Sequence, residues 1–273
     1  MPTEWTKKKI LITVKTYPVP ARKGVEVSCT AGITEDGKWI RLFPMPYRLM
    51  DDAQQFRKYE WIDVPLKKAG NDSRPESFNP QIEQIEIGEA ISTKNNWSAR
   101  WDIVRPLVQP SMCGIQRKRD EDGSPTLGIF KPTVRRLIIE EAEDTDWSQG
   151  QKETLSQTSL LYDLPDTPLQ KIPYDFKYEF RCADPECKGH TMSCTDWEIG
   201  QSYRAWKRQY GDGWEEKFRE KYEHELVKKR DLYFFVGNLH QHPGTWIVVG
   251  LFYPPLSDQT KTPLPPAPDL FSF

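Results

Sequence analysis

The sequence has no long apolar run. Of its 273 residues, 37% are hydrophobic and 29% are charged. No window approaches the roughly 20 apolar residues that a membrane-spanning helix requires. The charged first nine residues are not followed by an apolar stretch long enough for a secretory signal. We therefore expect a soluble, cytoplasmic protein that does not enter a membrane.

Cysteine and histidine are scarce, and neither sign of charge dominates. The chain holds five Cys and four His, and its 38 basic and 40 acidic residues leave a net charge of −2. An odd number of cysteines in a reducing compartment argues against a disulfide framework. The near-neutral balance counts against a protein that coats nucleic acid non-specifically. It leaves room for a local basic groove on one face.

Familiar catalytic motifs are also missing from the sequence. It has no glycine-rich phosphate loop, no paired-histidine metalloprotease motif and no nucleophile elbow. Cys29 and Cys113 have no histidine or other base near them in sequence, so nucleophilic catalysis is unsupported. His240 and His242 share a turn that is more typical of a surface loop. We predict a non-catalytic protein, and rank a metal-dependent hydrolase or nuclease using these two histidines as the last alternative.

Aromatic residues and short strand-like segments are plentiful. The chain contains 10 Trp, 11 Tyr and 12 Phe. Segments 8–16, 25–31 and 38–43 are rich in β-branched or alternating residues and are separated by turn signals. One amphipathic helix is expected at 97–108, and a charged loop at 116–125. A meander of short strands with one helix is typical of a small barrel of the OB type.

The second half of the sequence predicts another small unit. We expect a mainly β fold with helices (α+β), built from two OB-like barrels in tandem at 1–141 and 153–255. An acidic linker at 142–152 separates them. Two amphipathic helices, capped at Thr195 and Asp212, join a Cys/His cluster in an insert at 182–230 of the second barrel. A proline-rich tail follows at 256–273.

The Cys/His cluster predicts a metal site. Its spacing is C-x4-C-x2-H-x3-C, formed by Cys182, Cys187, His190 and Cys194. Three thiolates and one imidazole can close a tetrahedron around Zn²⁺ and leave no position for water, which is typical of structural zinc sites. An iron–sulfur cluster is the alternative.

A different pattern favours nucleic acid as the partner. Trp39, Arg41 and Phe43 alternate along one predicted strand, so they share a face. Rings that stack on bases and arginines that meet phosphates are typical of single-strand binding, although Trp39 and Phe43 fit a core equally well. Further candidate contacts are basic residues elsewhere: Arg48, Arg57, Arg74, Lys131, Arg204, Lys207 and Arg208.

The end of the tail suggests a second kind of partner. Leu270, Phe271 and Phe273 form an apolar tip on a proline-rich segment, and such tips dock into pockets of other proteins. The alternative function is therefore an interaction scaffold that uses a barrel face and this tail without binding nucleic acid.

Several segments together resemble a known family. They are CTAGI at 29–33, GKWIRLFPMPYR at 37–48, QFRKYEWI at 55–62, RPESF at 74–78, LGIFKP at 127–132, and the 182–194 cluster followed by DWE at 196–198. They look like the dual OB-fold domain of prokaryotic conflict systems, over about residues 8–255. The resemblance implies tandem OB folds with a helical metal-chelating insert. It also implies a sensor or adaptor that binds single-stranded DNA or RNA in defence against phage or plasmids.

Overall fold

The computed structural model describes residues 4–21, 25–158 and 168–256, which form a mainly β fold with some helices. The strands are β1 (Thr6–Lys15), β2 (Val19–Ala21), β3 (Val25–Thr34), β4 (Trp39–Met45), β5 (Glu60–Lys68), β6 (Ser77–Pro80), β7 (Glu86–Ala90), β8 (Val108–Gln109), β9 (Leu127–Phe130), β10 (Thr133–Glu141), β11 (Tyr174–Arg181), β12 (His190–Ser193), β13 (Tyr233–Asn238) and β14 (Trp246–Phe252). The helices are α1 (Lys94–Val104), α2 (Met112–Asp122), α3 (Gln149–Thr158), α4 (Trp197–Tyr210), α5 (Trp214–Arg219) and α6 (Leu226–Lys229), with a π-helical segment at Glu220–Glu225. In none of these ranges does a helix combine the length and apolarity needed to cross a bilayer.

A closed five-stranded barrel forms the N-terminal half of the chain, which runs from β1 to α1. Its strand order is β1-β3-β4-β6-β5, and β5 closes the ring by pairing with β1. All neighbours are antiparallel except β4 and β6, which run parallel. Side chains along β1 alternate between the two faces of the strand, so Ile10 and Ile12 point into the barrel core and Leu11 points outward. This arrangement is consistent with an OB-like barrel.

Two sheets and a helical layer form the C-terminal half, from β8 to β14. One sheet has the order β10-β11-β12 and the other β14-β13-β9-β8. A bridge between Cys194 and Val248 joins them. The helices α4 to α6 cover the three-stranded sheet, where the rings of Phe176 and Phe218 stack 4.4 Å apart. Asp196, rather than the predicted Thr195, caps α4, because its Oδ1 accepts a hydrogen bond from the Glu198 N–H.

The pairing of two strands differs from the predicted boundary at residue 141. Strand β9 pairs with β13, and β10 pairs with β11, so both belong with the C-terminal half. The predicted linker at 142–152 overlaps the start of α3. The boundary was predicted wrongly because pairing between strands that are distant in the chain leaves no local pattern in the sequence.

Helix α2 occupies most of the segment predicted as a charged loop. The Ser111 side chain caps it by accepting the Gly114 N–H at 2.9 Å, and Gly123 ends it at a φ of 73°. Within the helix only Met112 and Ile115 are buried. Two buried residues are too few to give a helical repeat of apolar positions that could be recognised in this charged segment.

The two halves share a hydrophobic core. Leu11 and Val14, on the outer side of the barrel, belong to one buried cluster with Phe235, Val249 and Phe252 of the C-terminal sheet. Because each half buries apolar side chains against the other, separating them would expose a large part of this core to water.

A buried ion pair crosses the same boundary. The Lys58 ammonium lies 2.9 and 2.8 Å from the two carboxylate oxygens of Asp196, and 3.4 Å from Glu198. Asp196 Oδ2 also accepts the backbone N–H of Leu251 at 2.8 Å. Asp196 and Glu198 raise the pKa of Lys58 against the effect of burial. One carboxylate therefore ties the barrel to α4 and β14.

We predict that Lys58→Met destabilises the protein by about 3–5 kcal/mol, because it leaves a buried carboxylate without its counter-ion. The free energy of unfolding from urea titration measures this loss. Lys7→Met is the control, since Lys7 pairs with Glu86 at an exposed site and its loss should cost less than about 1 kcal/mol. Equal losses in the two variants would contradict the assigned role of Lys58.

Candidate metal centre and basic cavity

Three cysteines and one histidine converge at one end of the C-terminal half. They are Cys113, Cys182, Cys187 and His190, and their ligand atoms all lie within 4.8 Å of one another. Cys113 Sγ is 3.5 Å from Cys182 Sγ and 3.4 Å from His190 Nε2. A tetrahedron with metal–sulfur bonds of about 2.3 Å has edges of about 3.8 Å. The group therefore fits one tetrahedral metal ion.

Different elements present the four ligands. Cys113 lies in the first turn of α2, Cys182 directly follows β11, and His190 begins β12. A tight turn holds Cys187, whose N–H donates to the Asp184 carbonyl at 3.1 Å. The His190 ring stacks on Phe180, with centroids 5.1 Å apart. These contacts position the ligands around one point.

The electrostatics of the cluster favour a thiolate at Cys182. Burial raises the pKa of this thiol, but the backbone groups of Cys113 and Asp184, together with His190, outweigh that effect and hold the pKa at about 6. The thiolate is the form of cysteine that binds a metal.

The structure corrects one predicted ligand, Cys194. This residue lies just past β12, four positions after His190, and along an extended strand that separation is about 13 Å. Its side chain is fully buried beneath α4, where burial raises the pKa of the thiol. Cys113 takes the fourth position. The sequence offered no spacing signal for it, because 69 residues separate it from Cys182.

A second candidate site lies between the two halves. It is a cavity of about 330 Å³ whose walls come from β1, the segment before β5, α1, the start of α4 and the end of β14. We call it the seam cavity. Its basic lining residues are Lys15, Arg57, Lys58 and Arg100. The others are Tyr59, Trp97, Trp197, Tyr253, Leu251 and Glu198.

Lys15 is the most unusual residue in this wall. Its ammonium lies 3.4 Å from the centre of the Tyr47 ring and 4.6 Å from that of Trp197. Burial is the main cause that lowers its pKa, and the neighbouring Lys58 adds to this effect. The carboxylates of Glu198, Asp196 and Glu60 offset part of the lowering, and the resulting pKa is about 7. Lys15 is therefore close to half-protonated at neutral pH.

Backbone strain is concentrated beside the seam cavity. In the described ranges, the non-glycine residues with positive φ are Tyr59, Asn95, Asn96 and Trp97. Tyr59 is held in this conformation because its N–H donates to Ile12 and its carbonyl accepts from Ile91. Such conformations persist only where neighbours impose them, and they cluster at functional sites.

One of the predicted nucleic-acid contacts is an interior residue, and a second is half-buried against the core. Arg41 is 2% exposed and donates to the Thr126 carbonyl at 3.0 Å, so it joins the barrel to β9. Trp39 packs edge-on against Phe235, with centroids 5.9 Å apart. Both are corrected to packing residues. Phe43, the third member of the predicted face, is 43% exposed.

Two further predicted contacts are held in internal ion pairs. Arg48 lies 3.1 Å from Glu26, and both side chains are mostly buried. Arg74 pairs with Asp72 and also donates to the Asn238 carbonyl at 2.8 Å. Both arginines are therefore engaged within the fold, where they serve packing rather than an open binding face.

The remaining predicted residues lie in three parts of the fold. Arg57 is exposed and lines the seam cavity. Lys131 pairs with the buried Asp231, and Lys207 pairs with Asp212. Arg204 donates to Gln170, and Arg208 is exposed on α4. Arg204, Lys207 and Arg208 share one face of α4 at spacings of three and four residues, whereas Arg57 and Lys131 lie on other segments. Leu270, Phe271 and Phe273 lie outside the described residues.

The histidine pair does not form a metal site. His240 Nδ1 lies 3.3 Å from Asp72, and both His240 and His242 are exposed. In residues 4–21, 25–158 and 168–256, the Cys113 cluster is the only group of three or more potential ligands.

Two family models cover most of the chain. Residues 6–106 match the family described as Domain of unknown function (DUF8758), and residues 108–270 match Domain of unknown function (DUF8757). The chain belongs to the DUF8757 family. The division between the two matches falls between α1 and β8, in agreement with the strand pairing.

Comparison with curated proteins gives no match. Among solved structures, a murine DNA-binding protein bound to double-stranded DNA aligns with 92% of this chain and 96% of its own length. The sequence identity is 7% and the TM-score 0.32, which is too low to relate the two folds.

We predict that metal binding depends on Cys113 and not on Cys194. Wild-type protein and Cys194→Ala should each hold one metal ion per chain, whereas Cys113→Ala loses a ligand and should hold less. Native mass spectrometry and elemental analysis measure the ratio. Chelation should also lower the melting temperature, because the ion links α2 to β11 and β12. Metal retained by Cys113→Ala but lost by Cys194→Ala would reverse the assignment.

We also predict that Lys15→Met stabilises the protein in a pH-dependent way. The pKa of Lys15 is about 7 in the folded chain and about 10.4 in an unfolded one. The unfolded state therefore binds more protons between these values, and the cost of burying Lys15 is complete below pH 7 and vanishes towards pH 10.4. The stability gain of the variant, measured by urea titration from pH 6 to 10, should shrink as pH rises. A gain that grows with pH would refute this.

Proposed function

We propose that this protein is a non-catalytic nucleic-acid-binding module whose binding site is the seam cavity. The observation that carries the proposal is the lining of this cavity, which gathers four basic and four aromatic residues in a chain of net charge −2. Basic side chains meet phosphates, and aromatic rings stack on bases. The binding surface is thus this seam rather than the strand face of Trp39 and Arg41.

The size of the cavity favours single strands. A volume of about 330 Å³ lies at the lower end of the range for small-ligand sites, about 300–1,000 Å³. It suits one nucleotide, and a duplex is too wide to enter. OB-like barrels are also a common scaffold for binding oligonucleotides, and the barrel supplies Lys15 and residues 57–59 to the cavity wall.

We propose further that the C-terminal half is a second OB-like barrel. Strand β9 leads directly into β10, and the two act as one bent strand. The order β10-β11-β12, the parallel bridge from Cys194 to Val248, and the order β14-β13-β9 then complete a ring. This cyclic order repeats that of the first barrel, including one parallel contact between its third and fifth strands. Helices α4 to α6 lie between the third and fourth strands of this ring.

The metal at the Cys113 cluster is proposed to be zinc in a structural role. The donor set of three cysteines and one histidine matches closed zinc sites, which lack a position for water. Iron–sulfur clusters are usually held by four cysteines. The ion would fasten α2 to the β11–β12 hairpin and take no part in binding nucleic acid.

A role in prokaryotic defence is the biological setting we propose. It is supported by the resemblance of several segments to the dual OB-fold domain of conflict systems. In that setting the protein would act in the cytoplasm as a sensor or adaptor for foreign nucleic acid.

Fluorescence anisotropy with labelled single-stranded DNA, single-stranded RNA and duplex, each over a salt series, tests the proposed function. We expect single strands to bind more tightly than duplex, with affinity falling as salt rises. Arg57→Ala should weaken binding and reduce the salt slope by about one.

Arg208→Ala is the matched control for this experiment. Arg208 is exposed on α4 and lies about 16 Å along the helix from Trp197, so its removal should leave the affinity unchanged. No binding to any of the three forms at low salt would rule out the proposed function.

A further inference from the structure

Two polar groups of residues that line the seam cavity have no hydrogen-bond partner among the described residues. Lys15 is 7% exposed, and its ammonium contacts ring faces without a hydrogen bond to any residue the structure describes. Tyr59 is 4% exposed, and among the described residues its hydroxyl has no hydrogen-bond partner. Buried donors without acceptors are costly. Both residues line the seam cavity, but the Tyr59 hydroxyl is closed off from solvent, so Lys15 is the donor to which a ligand there can supply an acceptor.

Another residue of the cavity wall, Glu198, offers an acceptor. Glu198 carries a carboxylate fixed by the Tyr253 hydroxyl at 3.2 Å and by Lys58 at 3.4 Å. Lys58 and the Tyr253 hydrogen bond hold its pKa below the ordinary value, against the effect of burial. It is therefore ionised at neutral pH and accepts hydrogen bonds.

Aromatic surfaces complete the cavity. Trp97 lines one wall and packs against Tyr253 and Phe252, with ring centroids 5.3 and 5.8 Å apart. Trp197 lines the cavity from the start of α4. The Arg100 guanidinium lies over the Tyr59 ring, 4.2 Å from its centre. Such faces favour a flat, aromatic guest.

These features together narrow the class of ligand. A phosphate group alone would be repelled by the negative charge of Glu198. A purely apolar molecule would leave Lys15 without an acceptor. A nucleobase has two stacking faces and an edge that carries both donors and acceptors. It can therefore stack on the aromatic rings, accept a hydrogen bond from Lys15 and donate one to Glu198.

We propose that the seam cavity takes up one unstacked nucleobase of a bound strand. Its edge lies between Lys15 and Glu198, and its face lies against Trp97. The exposed Arg57 at the cavity then contacts the phosphate next to that base. This inference rests on the proposed function and adds that one base leaves the stack, as in proteins that extrude a nucleotide into a pocket.

The test compares two strands with the same phosphates. One is a 12-nucleotide strand containing all four bases, in whichever of DNA or RNA binds better, and the other is its fully abasic counterpart. For the wild-type protein the base-bearing strand should bind about tenfold more tightly or better, as expected for base–aromatic stacking. The ratio of the two affinities isolates the contribution of the bases.

Three variants locate that contribution. Trp97→Ala and Lys15→Met should each bring the affinity ratio towards one. Phe43→Ala is the control, because Phe43 is exposed outside the cavity and its loss should leave the ratio unchanged. Lys15→Met should also melt at a higher temperature than the wild type at pH 7, so its weaker binding would not reflect unfolding.

The outcomes separate this inference from the proposed function. Salt-sensitive binding with equal affinity for both strands would overturn base uptake and leave a phosphate-binding module. A ratio lost in Phe43→Ala but kept in Trp97→Ala would move base contact to the barrel face and also overturn it. Free deoxynucleoside monophosphates that bind as tightly as the strand would overturn the assignment to a strand. No binding to either strand would remove both proposals.

Discussion

A single buried carboxylate organises the junction between the two halves of this protein. Asp196 caps α4, receives the backbone N–H of Leu251 in β14 and pairs with Lys58 from the barrel. A buried ion pair of this kind adds little net stability compared with apolar packing, but the loss of one partner is severe. Lys58 also fixes Glu198 and repels Lys15. The electrostatics of the seam cavity therefore depend on the same contact that holds the halves in register.

Local patterns in the sequence were sufficient for part of the fold and of the sites. The alternation of β1 and the hairpin signal before β4 predict barrel strands that the structure contains. The short spacing of Cys182, Cys187 and His190 brings them together in one turn and hairpin. Interactions between distant segments were not predictable in this way. Cys113 enters the cluster from a helix whose charges conceal its apolar face, and the pairing of β9 and β10 with later strands crosses the predicted linker.

Residue type alone could not distinguish a binding face from a core. Trp39 and Arg41 alternate as a base-stacking strand would, yet Trp39 packs on Phe235 and Arg41 satisfies the Thr126 carbonyl. The seam cavity, which is the proposed binding site, is the reverse case. Its residues lie in five separate segments, and only the closure of the two halves brings them together. Strain at Tyr59 and Trp97 marks the place in the structure, but positive φ at a tyrosine or tryptophan has no sequence signal.

The position of Cys113 has a consequence for biosynthesis. Its partner thiol lies 69 residues later, and His190 lies 77 residues later. During translation Cys113 therefore emerges long before any other ligand, and the ion cannot be held by all four residues until the β11–β12 hairpin has left the ribosome. Metal capture closes a long loop and becomes favourable only when the intervening strands already bring its ends together. Metal content thus reports a late step in the maturation of the nascent chain, and a stalled or truncated product would carry an unprotected thiol.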